Sequence, residues 1–272
     1  MLELYQFGNS VCAQKVRITL LEKGLEWETH EVNLFTGEQY DPAYLKLNPK
    51  GVVPTLVVDG KPVIESTLIC EFLDETYPEP SLMPADAYGR TRMRLWSKAV
   101  DEGLFEGVMD LSFSAMFRER VQNMTDEQRA QRFANVGDPR RRDRVMSTFQ
   151  EGVASPFVFN GIAAYEKAFK TMQKDLGDGR PWLMGEQFTL ADINLMPFVA
   201  RLGYLGLLDI WIAERPKVQK WRERALARPS FAGGISDHFK PGEVDEMKKF
   251  GAKIKDQVAE KYTEYLAQFP NT

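Results

Sequence analysis

Apolar and polar residues alternate at the beginning of the chain with the period of two that is typical of a half-buried β-strand. This pattern covers LELYQF at 2–7 and returns in WETHEVNL at 27–34. Between these segments the apolar positions follow helical spacing as far as Gly24, a common type of helix stop. The sequence therefore predicts a strand, a helix over 11–23 and a second, parallel strand.

The next segments complete a small α/β domain. A short helix is predicted over 41–46, and two strand-like runs, PTLVVDG at 54–60 and PVI at 62–64, are close enough to form a hairpin. STLICEFLDETY at 66–77 follows helical spacing. With the first two strands, these elements predict a four-stranded mixed sheet, parallel in its first half and antiparallel in its second. This thioredoxin-like layout covers residues 1–77.

The chain changes character after residue 77. Residues 78–87 carry prolines in a short polar run and predict a linker. The remaining chain, 88–272, has helical periodicity and no convincing strand, so we expect an all-helical second domain. Its first apolar stripe is long and predicts one extended helix, or two helices broken near Gly103 or Gly107. The stripe consists of Met93, Trp96, Val100, Leu104, Val108, Leu111 and Met116.

Further features mark the helical domain. Residues 118–155 are polar and predict an inserted segment of short helices and loops, with Arg140 to Arg142 as a solvated face. Thr189 and Asp192 have the spacing of a capping box and predict the start of a helix. The tail predicts a C-terminal helix packed on its own domain, in preference to a partner-binding helix. Its apolar stripe comprises Val244, Met247, Phe250, Ile254, Val258, Tyr262 and Leu266.

Composition narrows the function classes. A net charge of −4 over 272 residues offers no basic surface for nucleic acid or an anionic membrane. No segment has the pattern of a secretory leader or a membrane span, so we expect a cytoplasmic protein. Two cysteines, Cys12 and Cys70, argue against a disulfide framework, and two histidines, His30 and His238, argue against a catalytic triad or a histidine metal site. We expect a small-molecule substrate, no nucleic-acid or membrane partner, and no metal.

The turn into the first helix carries candidate chemistry. Ser10 and Cys12 lie at the helix N-terminus, where unpaired N–H groups and the positive end of the helix dipole stabilise a negative charge. A thiolate, whether bound or belonging to Cys12, would be favoured at this place. The residues alone leave both side chains open as candidates.

The motifs that follow resemble one enzyme family. NPKGVVPTLVVDGKPVIESTLICEFLDETYPE at 48–79, the proline-containing linker and FTLADI at 188–193 resemble a cytosolic glutathione transferase over nearly the whole chain. ESTLICEF at 65–72, PAD-x-x-x-R from Pro84 and NVGDPRRRDR at 135–144 are most similar to bacterial glutathione-dependent β-etherases and related fungal transferases. The resemblance implies an α/β thioredoxin-like, glutathione-binding N-terminal domain followed by an all-α C-terminal domain.

The resemblance also implies that glutathione is the co-substrate and assigns residues to its parts. The backbone N–H and C=O of Val53, before Pro54, would hold the cysteinyl backbone. Glu65 would bind the γ-glutamyl ammonium and Ser66 the adjacent carboxylate, a charge match that suits a helix N-terminus. Without the resemblance, Ser66 is interpreted as a helix N-cap and Glu65 as a surface carboxylate.

The glycyl end of glutathione has no obvious partner. Val52 is apolar where many relatives of the resembled family carry a polar residue. Gln39 or Lys50 are the candidate substitutes.

For the glutathione sulfur, the resemblance singles out a serine. Alignment with dithiol relatives places Ser10 at the first cysteine position and Ala13 at the second. The hydroxyl of Ser10 would donate to the sulfur, and Asn9 is the second candidate donor. Cys12 lies between the two positions, so we expect Cys12 to act as a small apolar residue of the first helical turn and not as a nucleophile.

The implied reaction is attack by the glutathione thiolate on a hydrophobic, aromatic electrophile, with a β-aryl ether as one candidate. We expect the electrophile between the domains, against Phe7, Phe113 and Phe117, since an aromatic lining suits an aryl substrate; the alternative is that these aromatic residues belong to the packed core. The resemblance also implies a homodimer and a role in detoxification or aromatic catabolism. Two other functions stay open: a glutathione-dependent thiol oxidoreductase that uses Cys12, and a non-catalytic ligand-binding protein of the same fold.

Overall fold

The computed structural model describes residues 1–270, so residues 271–272 of the predicted helical domain lie outside the described part of the chain. Residue contacts divide the chain into two compact units. Unit 1 consists of Met1–Ser97, Gly179–Pro197 and Trp221–Lys240; unit 2 consists of Lys98–Asp178, Phe198–Lys220 and the chain from Pro241 onward. The continuous division into domains 1–77 and 88–272 with a linker at 78–87 stays a prediction.

Unit 1 contains a four-stranded sheet of order β2-β1-β3-β4. Its strands are β1 (Leu2–Gln6), β2 (Glu28–Glu31), β3 (Thr55–Val58) and β4 (Lys61–Val63). β1 pairs in parallel with β2, where Leu4 is opposite Thr29, and antiparallel with β3, where Leu4 is opposite Leu56. β3 and β4 form an antiparallel pair. The predicted mixed sheet is confirmed.

Three helices accompany this sheet: α1 (Val11–Glu22), α2 (Pro42–Leu47) and α3 (Ser66–Thr76). α1 packs against α3 and against a later helix, α13 (Pro229–Gly234). A Cβ on Gly234 would lie 2.6 Å from the Ile18 side chain, so only glycine permits this approach. α1 is consequently buried along most of its length, and its polar side chains must find partners inside the protein.

The remaining chain is helical among the described residues, apart from an isolated bridge between Trp182 and Gly185. The helices are α4 (Ala87–Ala99), α5 (Phe105–Ser112), α6 (Arg118–Gln122), α7 (Asp126–Ala134), α8 (Pro139–Glu151), α9 (Pro156–Asp175), α10 (Leu190–Tyr204), α11 (Asp209–Ile212), α12 (Pro216–Leu226), α14 (Glu243–Ala252) and α15 (Lys255–Gln268). The predicted helical character is confirmed.

The first long stripe forms one extended helical run, which confirms the first of the two predicted alternatives. α4 continues into α5 through a π-helical segment, Val100–Leu104, and α5 continues into α6 through a second one, Phe113–Phe117. The first wide turn contains Gly103, where a break was considered. π-Helical turns inside α-helices are frequent at functional sites.

The predicted helix start at Thr189 is confirmed by α10, with one of the two hydrogen bonds of a capping box, because Thr189 Oγ1 accepts from the Ala191 N–H at 3.3 Å and not from the Asp192 N–H. The Thr189 N–H donates to Asp192 Oδ2 at 3.2 Å, as the spacing predicted. The structure adds tertiary partners, because Asp192 Oδ1 also accepts from the Trp221 Nε1–H at 2.9 Å and the Leu183 N–H at 3.0 Å. Burial raises the pKa of Asp192 to about 6.

The predicted insertion forms α7 and α8, as expected for short helices. α8 is tied to α5 by Arg144, whose Nη1 and Nη2 donate to Asp110 at 2.6 Å and to Glu106 at 2.7 Å. Burial raises the pKa of Asp110 to about 6, while Arg144 opposes that shift. Arg140 and Arg141 are exposed, which confirms the predicted solvated face at these two positions.

Helices α5 and α9 approach each other closely within unit 2. A Cβ built on Gly107 would lie 2.8 Å from the Gly161 Cα, and one built on Gly161 would lie 2.6 Å from the Gly107 Cα. Backbone atoms rather than flexible side chains occupy this crossing. Both positions therefore require glycine for packing.

The tail differs from the single predicted helix, since α14 and α15 are separate. Ile254 and Val258 are buried as expected, but Val244 and Leu266 are exposed, and Tyr265 is buried in place of Leu266. At 100° per residue, Tyr265 lies about 20° from Ile254 around the helix and Leu266 about 120°, which explains the difference. α15 packs on α9, and the Tyr262 hydroxyl donates to Glu166 at 2.7 Å. Packing of the tail on its own unit is confirmed.

Candidate functional site

Ser10 is the N-cap of α1. Its Oγ accepts from the Ala13 N–H at 3.3 Å, and its own N–H donates to the Phe7 carbonyl at 2.9 Å. A capping hydroxyl uses one lone pair, so its hydrogen stays available for donation to an acceptor at the helix end. Asn9 precedes this cap and Cys12 lies in the first helical turn; both are half-buried.

The loop before Ser10 is held by side chains that the sequence reading missed. Arg17 is fully buried and its Nη2 donates to the Gly8 carbonyl at 2.8 Å. Glu31 Oε1 accepts from the Gly8 N–H at 3.0 Å. Burial lowers the pKa of Arg17 to about 9, and the charge of Glu31 opposes this shift. The only sequence signal was a basic residue inside a helix that is otherwise rich in apolar positions.

Val53 offers an unused backbone edge. The Val53–Pro54 peptide bond is cis, and Val53 packs in a cluster with Val32 and Tyr44, against which Phe7 also lies. Within residues 1–270, the N–H and C=O of Val53 have no hydrogen-bond partner. An extended peptide could pair with these two groups in the manner of an added strand.

Glu65 and Ser66 begin α3. Glu65 is the N-cap residue, with φ 69° and ψ 105°, an uncommon backbone conformation for a residue other than glycine. Its carboxylate pairs with Lys50 Nζ at 2.6 Å. Ser66 is the first helical residue rather than the N-cap, and its hydroxyl makes no hydrogen bond within the described chain. Interpreting Ser66 merely as a helix cap is therefore wrong.

Gln39 and Lys50, the candidates for the glycyl end, differ in their surroundings. Gln39 lies in the short 3₁₀ helix Glu38–Tyr40 and is buried, and its Oε1 has no hydrogen-bond partner among the described residues. Lys50 is exposed and already pairs with Glu65. The Gln39 side chain therefore lacks one of its hydrogen-bond partners, whereas the charge of Lys50 is already paired.

The aromatic candidates lie in different units. Phe7 belongs to unit 1 and contacts Phe35 edge-on, with ring centroids 5.4 Å apart. Phe35, which sequence reasoning missed, is 47% exposed and follows the sheet strand β2 in the chain. Phe113 is buried and Phe117 half-buried, and both lie on the second π-helical segment of unit 2.

Residues 1–270 contain neither a candidate metal site nor a candidate membrane span. No group of three or more His, Cys, Asp or Glu side chains there could hold a metal ion. No helix in that part of the chain is long and apolar enough to cross a membrane.

Both halves of the chain match models of known protein domains. A model described as glutathione S-transferase, N-terminal domain, matches residues 9–76, and one described as glutathione S-transferase, C-terminal domain, matches residues 127–224. Protein LigF of Sphingobium sp. strain SYK-6 is 33% identical over 260 residues, which are 91% of this chain and 96% of that protein. Maleylacetoacetate isomerase of Pseudomonas aeruginosa is 31% identical over 234 residues, 85% of this chain and 93% of that protein.

Solved structures show the same relationship. The crystal structure of beta-etherase LigF from Sphingobium sp. strain SYK-6 has a TM-score of 0.77 at 30% identity, covering 87% of this chain and 99% of that chain. A glutathione transferase from Burkholderia graminis, solved with two glutathione molecules per subunit, has a TM-score of 0.62 at 27% identity, covering 86% of this chain and 87% of that chain.

Proposed function

The chain belongs to the glutathione S-transferase family, and on that premise we propose that it binds glutathione as co-substrate and directs the thiolate at a hydrophobic, aromatic electrophile. The observation that carries the proposal is the set of unused polar groups in unit 1. The backbone N–H and C=O of Val53 and the hydroxyl of Ser66 are unpaired within residues 1–270. Buried polar groups are almost always hydrogen-bonded, and the unpaired backbone of the buried Val53 is therefore a candidate ligand contact.

Each of these groups matches one part of glutathione. Val53, before Pro54, would pair with the cysteinyl backbone, and Ser66 at the N-terminus of α3 would donate to the γ-glutamyl carboxylate. Glu65 would accept from the ammonium. Because Lys50 pairs with Glu65 at 2.6 Å, the incoming ammonium would replace or share this exposed partner.

The chemistry is assigned to Ser10, whose hydroxyl would donate to the glutathione sulfur, with Asn9 as the second candidate donor. Gln39 would hold the glycyl carboxylate through its Nε2–H, since a carboxylate accepts hydrogen bonds and only the amide nitrogen can donate one. The uncommon backbone conformation of Glu65, φ 69°, supports its assignment to the ammonium of glutathione, because such conformations cluster at functional sites.

A β-aryl ether is the proposed electrophile, because the relative LigF is described as a beta-etherase and aligns with 87% of this chain. Phe7 in unit 1, with Phe113 and Phe117 in unit 2, stay predicted as the residues that contact the aromatic substrate. The competing oxidoreductase function would instead need the thiol of Cys12 as nucleophile.

Binding is tested by calorimetry with glutathione and Ser66→Ala. We expect affinity to fall by about 1.5–3 kcal/mol, since a hydrogen bond to a charged group is lost. Ser81→Ala is the matched control, because Ser81 is exposed and its hydroxyl donates to the Met83 carbonyl at 2.8 Å. Undiminished affinity of the Ser66 variant would remove Ser66 from the site.

The reaction is tested by supplying glutathione with an aryl halide, a β-aryl ether and a mixed disulfide. Turnover of the halide and the ether supports the proposal. Turnover of simple halides without any β-aryl ether stereoisomer would refute the etherase assignment and keep the transferase one. Turnover of the mixed disulfide alone would favour the oxidoreductase, and no turnover with intact glutathione binding would favour a ligand-binding protein.

We also propose a homodimer in which a second copy of the chain covers an apolar patch of unit 1. Leu68, Tyr88 and Leu95 are 58%, 73% and 61% exposed. The bidentate ion pair of Arg94 with Glu71, at 2.8 Å, joins α3, which carries Leu68, to α4, which carries Tyr88 and Leu95. Exposed apolar side chains on neighbouring helices favour a self-complementary interface.

Sedimentation tests the dimer. We expect the dimer mass at micromolar concentration, and dissociation when Leu68→Lys and Leu95→Lys are combined. Met146→Lys is the control, since Met146 is an exposed apolar residue outside the patch. The monomer mass for the wild-type chain would refute the dimer.

A further inference from the structure

Arg17 joins three separate segments of the chain. Its Nη2 donates to the Gly8 carbonyl at 2.8 Å, its Nη1 to Gln6 Oε1 at 2.6 Å and its Nε to the Gly234 carbonyl at 2.8 Å. These partners belong to the loop before α1, to strand β1 and to α13. The side chain is fully buried, so all of this bonding is internal.

The Gly8 peptide is held on both sides. The Arg17 guanidinium donates to its carbonyl, and Glu31 accepts from its N–H at 3.0 Å. A Cβ at this position would lie 2.8 Å from the His238 carbonyl oxygen, so only glycine fits. Ser10 follows two residues later, so the hydrogen bonds that hold the Gly8 peptide also help to position the Ser10 hydroxyl.

The charge of Arg17 has no paired carboxylate. All three groups that it bonds are neutral, namely two carbonyls and one amide oxygen. Within residues 1–270, no carboxylate lies at ion-pair distance from it. Two other titratable groups face it: Glu31, whose charge favours the protonated guanidinium, and His238, whose pKa is lowered by its own burial and by Arg17. A buried cation in such a place is costly unless a negative charge can compensate it.

We propose that Arg17 is a positioning residue for Ser10 and that its buried charge helps to keep the thiol of bound glutathione ionised. This inference rests on the proposed function, because it concerns the same thiol. The thiolate, bound at the N-terminus of α1, supplies the negative charge that Arg17 lacks in the protein. An opposite charge nearby favours the ionised thiol, as does a hydrogen bond from a correctly placed hydroxyl.

A purely structural role for Arg17 predicts a different result. If the residue only ties α1 to β1 and α13, its loss lowers stability and leaves the thiol pKa of bound glutathione unchanged. The pKa of the thiol, followed by the ultraviolet absorbance of the thiolate, therefore separates the two roles.

The test uses three variants of this site. Arg17→Met removes the charge, Arg17→Lys keeps it, and Gln6→Glu places a carboxylate on Nη1 so that the charge is compensated while the guanidinium stays. We expect Arg17→Met and Gln6→Glu each to raise the thiol pKa by about one unit, a tenfold loss of thiolate well below the pKa, and Arg17→Lys to raise it less.

The control is Arg224→Met, which removes a half-buried arginine of unit 1 that also donates to a backbone carbonyl, that of Pro181 at 2.8 Å. This variant should leave the thiol pKa unchanged. If Arg17→Met does not fold, the thiol pKa measured with Gln6→Glu decides whether the charge of Arg17 acts on the thiol. An unchanged pKa in the folded variants would overturn the proposal.

Ser10→Ala, titrated in parallel, separates the failure of this inference from that of the proposed function. If the wild-type protein does not bind glutathione, the proposed function fails, and this inference fails with it. If Ser10→Ala shifts the thiol pKa and the Arg17 and Gln6 variants do not, only the role of Arg17 is refuted.

Discussion

Replacement of Ser10 with Ala removes a hydroxyl that has two separable roles. In the protein without ligand, Oγ accepts from the Ala13 N–H at 3.3 Å and caps α1. Loss of an N-cap costs about 0.5–2 kcal/mol, and this long bond places the expected loss of unfolding free energy near about 0.5–1 kcal/mol. In the complex, the hydroxyl would also donate to the glutathione thiolate, which is the proposed catalytic role.

The second role sets the size of the functional effect. A hydrogen bond to a charged group contributes about 1.5–3 kcal/mol, and one pKa unit corresponds to about 1.36 kcal/mol. Ser10→Ala should therefore raise the thiol pKa of bound glutathione by about 1–2 units. Well below the thiol pKa, the thiolate fraction should fall by about 10- to 100-fold, and we expect turnover to fall by at least about tenfold.

Two measurements follow the two roles separately. Urea unfolding without glutathione reports the cap, while the pH dependence of thiolate absorbance and of kcat/KM reports the donor. Ser10→Thr keeps a hydroxyl and should retain most of both effects. Cys12→Ala is the control and should leave the thiol pKa and turnover nearly unchanged.

An unchanged thiol pKa and unchanged turnover in Ser10→Ala would refute the proposed role of the Ser10 hydroxyl as donor to the glutathione sulfur. A large loss on Cys12→Ala in the same experiment would assign the protein to the thiol oxidoreductases. A rise of the thiol pKa in Asn9→Ala, with Ser10→Ala silent, would instead make the amide the donor.

Two further predictions concern unit 2. Gly107→Ala should lower the unfolding free energy by about 1–3 kcal/mol, because its Cβ would lie 2.8 Å from the Gly161 Cα. Gly137→Ala is the control, since a Cβ there would meet no atom within 4 Å. Equal urea midpoints for the two variants would refute this packing. The Asp110 carboxyl has a pKa raised to about 6 by burial, so the stability that it contributes is present below about pH 4 and is lost as the pH rises through 6. Relative to Asp110→Asn, the wild-type protein should lose about 2–3 kcal/mol over that range, and an opposite slope would show that Arg144 controls the carboxyl.

Local sequence patterns determined most of the secondary structure. Alternation at 2–7 predicted β1, the spacing of Thr189 and Asp192 predicted the start of α10, and the family resemblance was confirmed by matches to both halves of the chain. These features depend on residues that are close in sequence, because a strand face, a helix stripe or a helix cap is formed within a few residues. The prediction for the tail was wrong in part, since two separate helices, α14 and α15, replace the single predicted helix.

The candidate site also has one part that local sequence predicted and another that depends on contacts between distant residues. The place of Ser10 at the N-terminus of α1 and of Glu65 and Ser66 at the start of α3 follows from local sequence. Their surroundings do not, since Lys50 reaches Glu65 across 15 positions and Arg17 reaches Gly234 across 217.

The sequence by itself thus determined most helices and strands of this protein and its family, and it predicted the side chains that would bind glutathione. Only the tertiary structure decided that Arg17 lies buried among neutral partners, that Gln39 has an orphaned oxygen and that Asp192 joins Trp221. Burial and long-range hydrogen bonds arise when distant segments pack together. No periodicity along the chain encodes the free-energy cost of removing a particular charge from water.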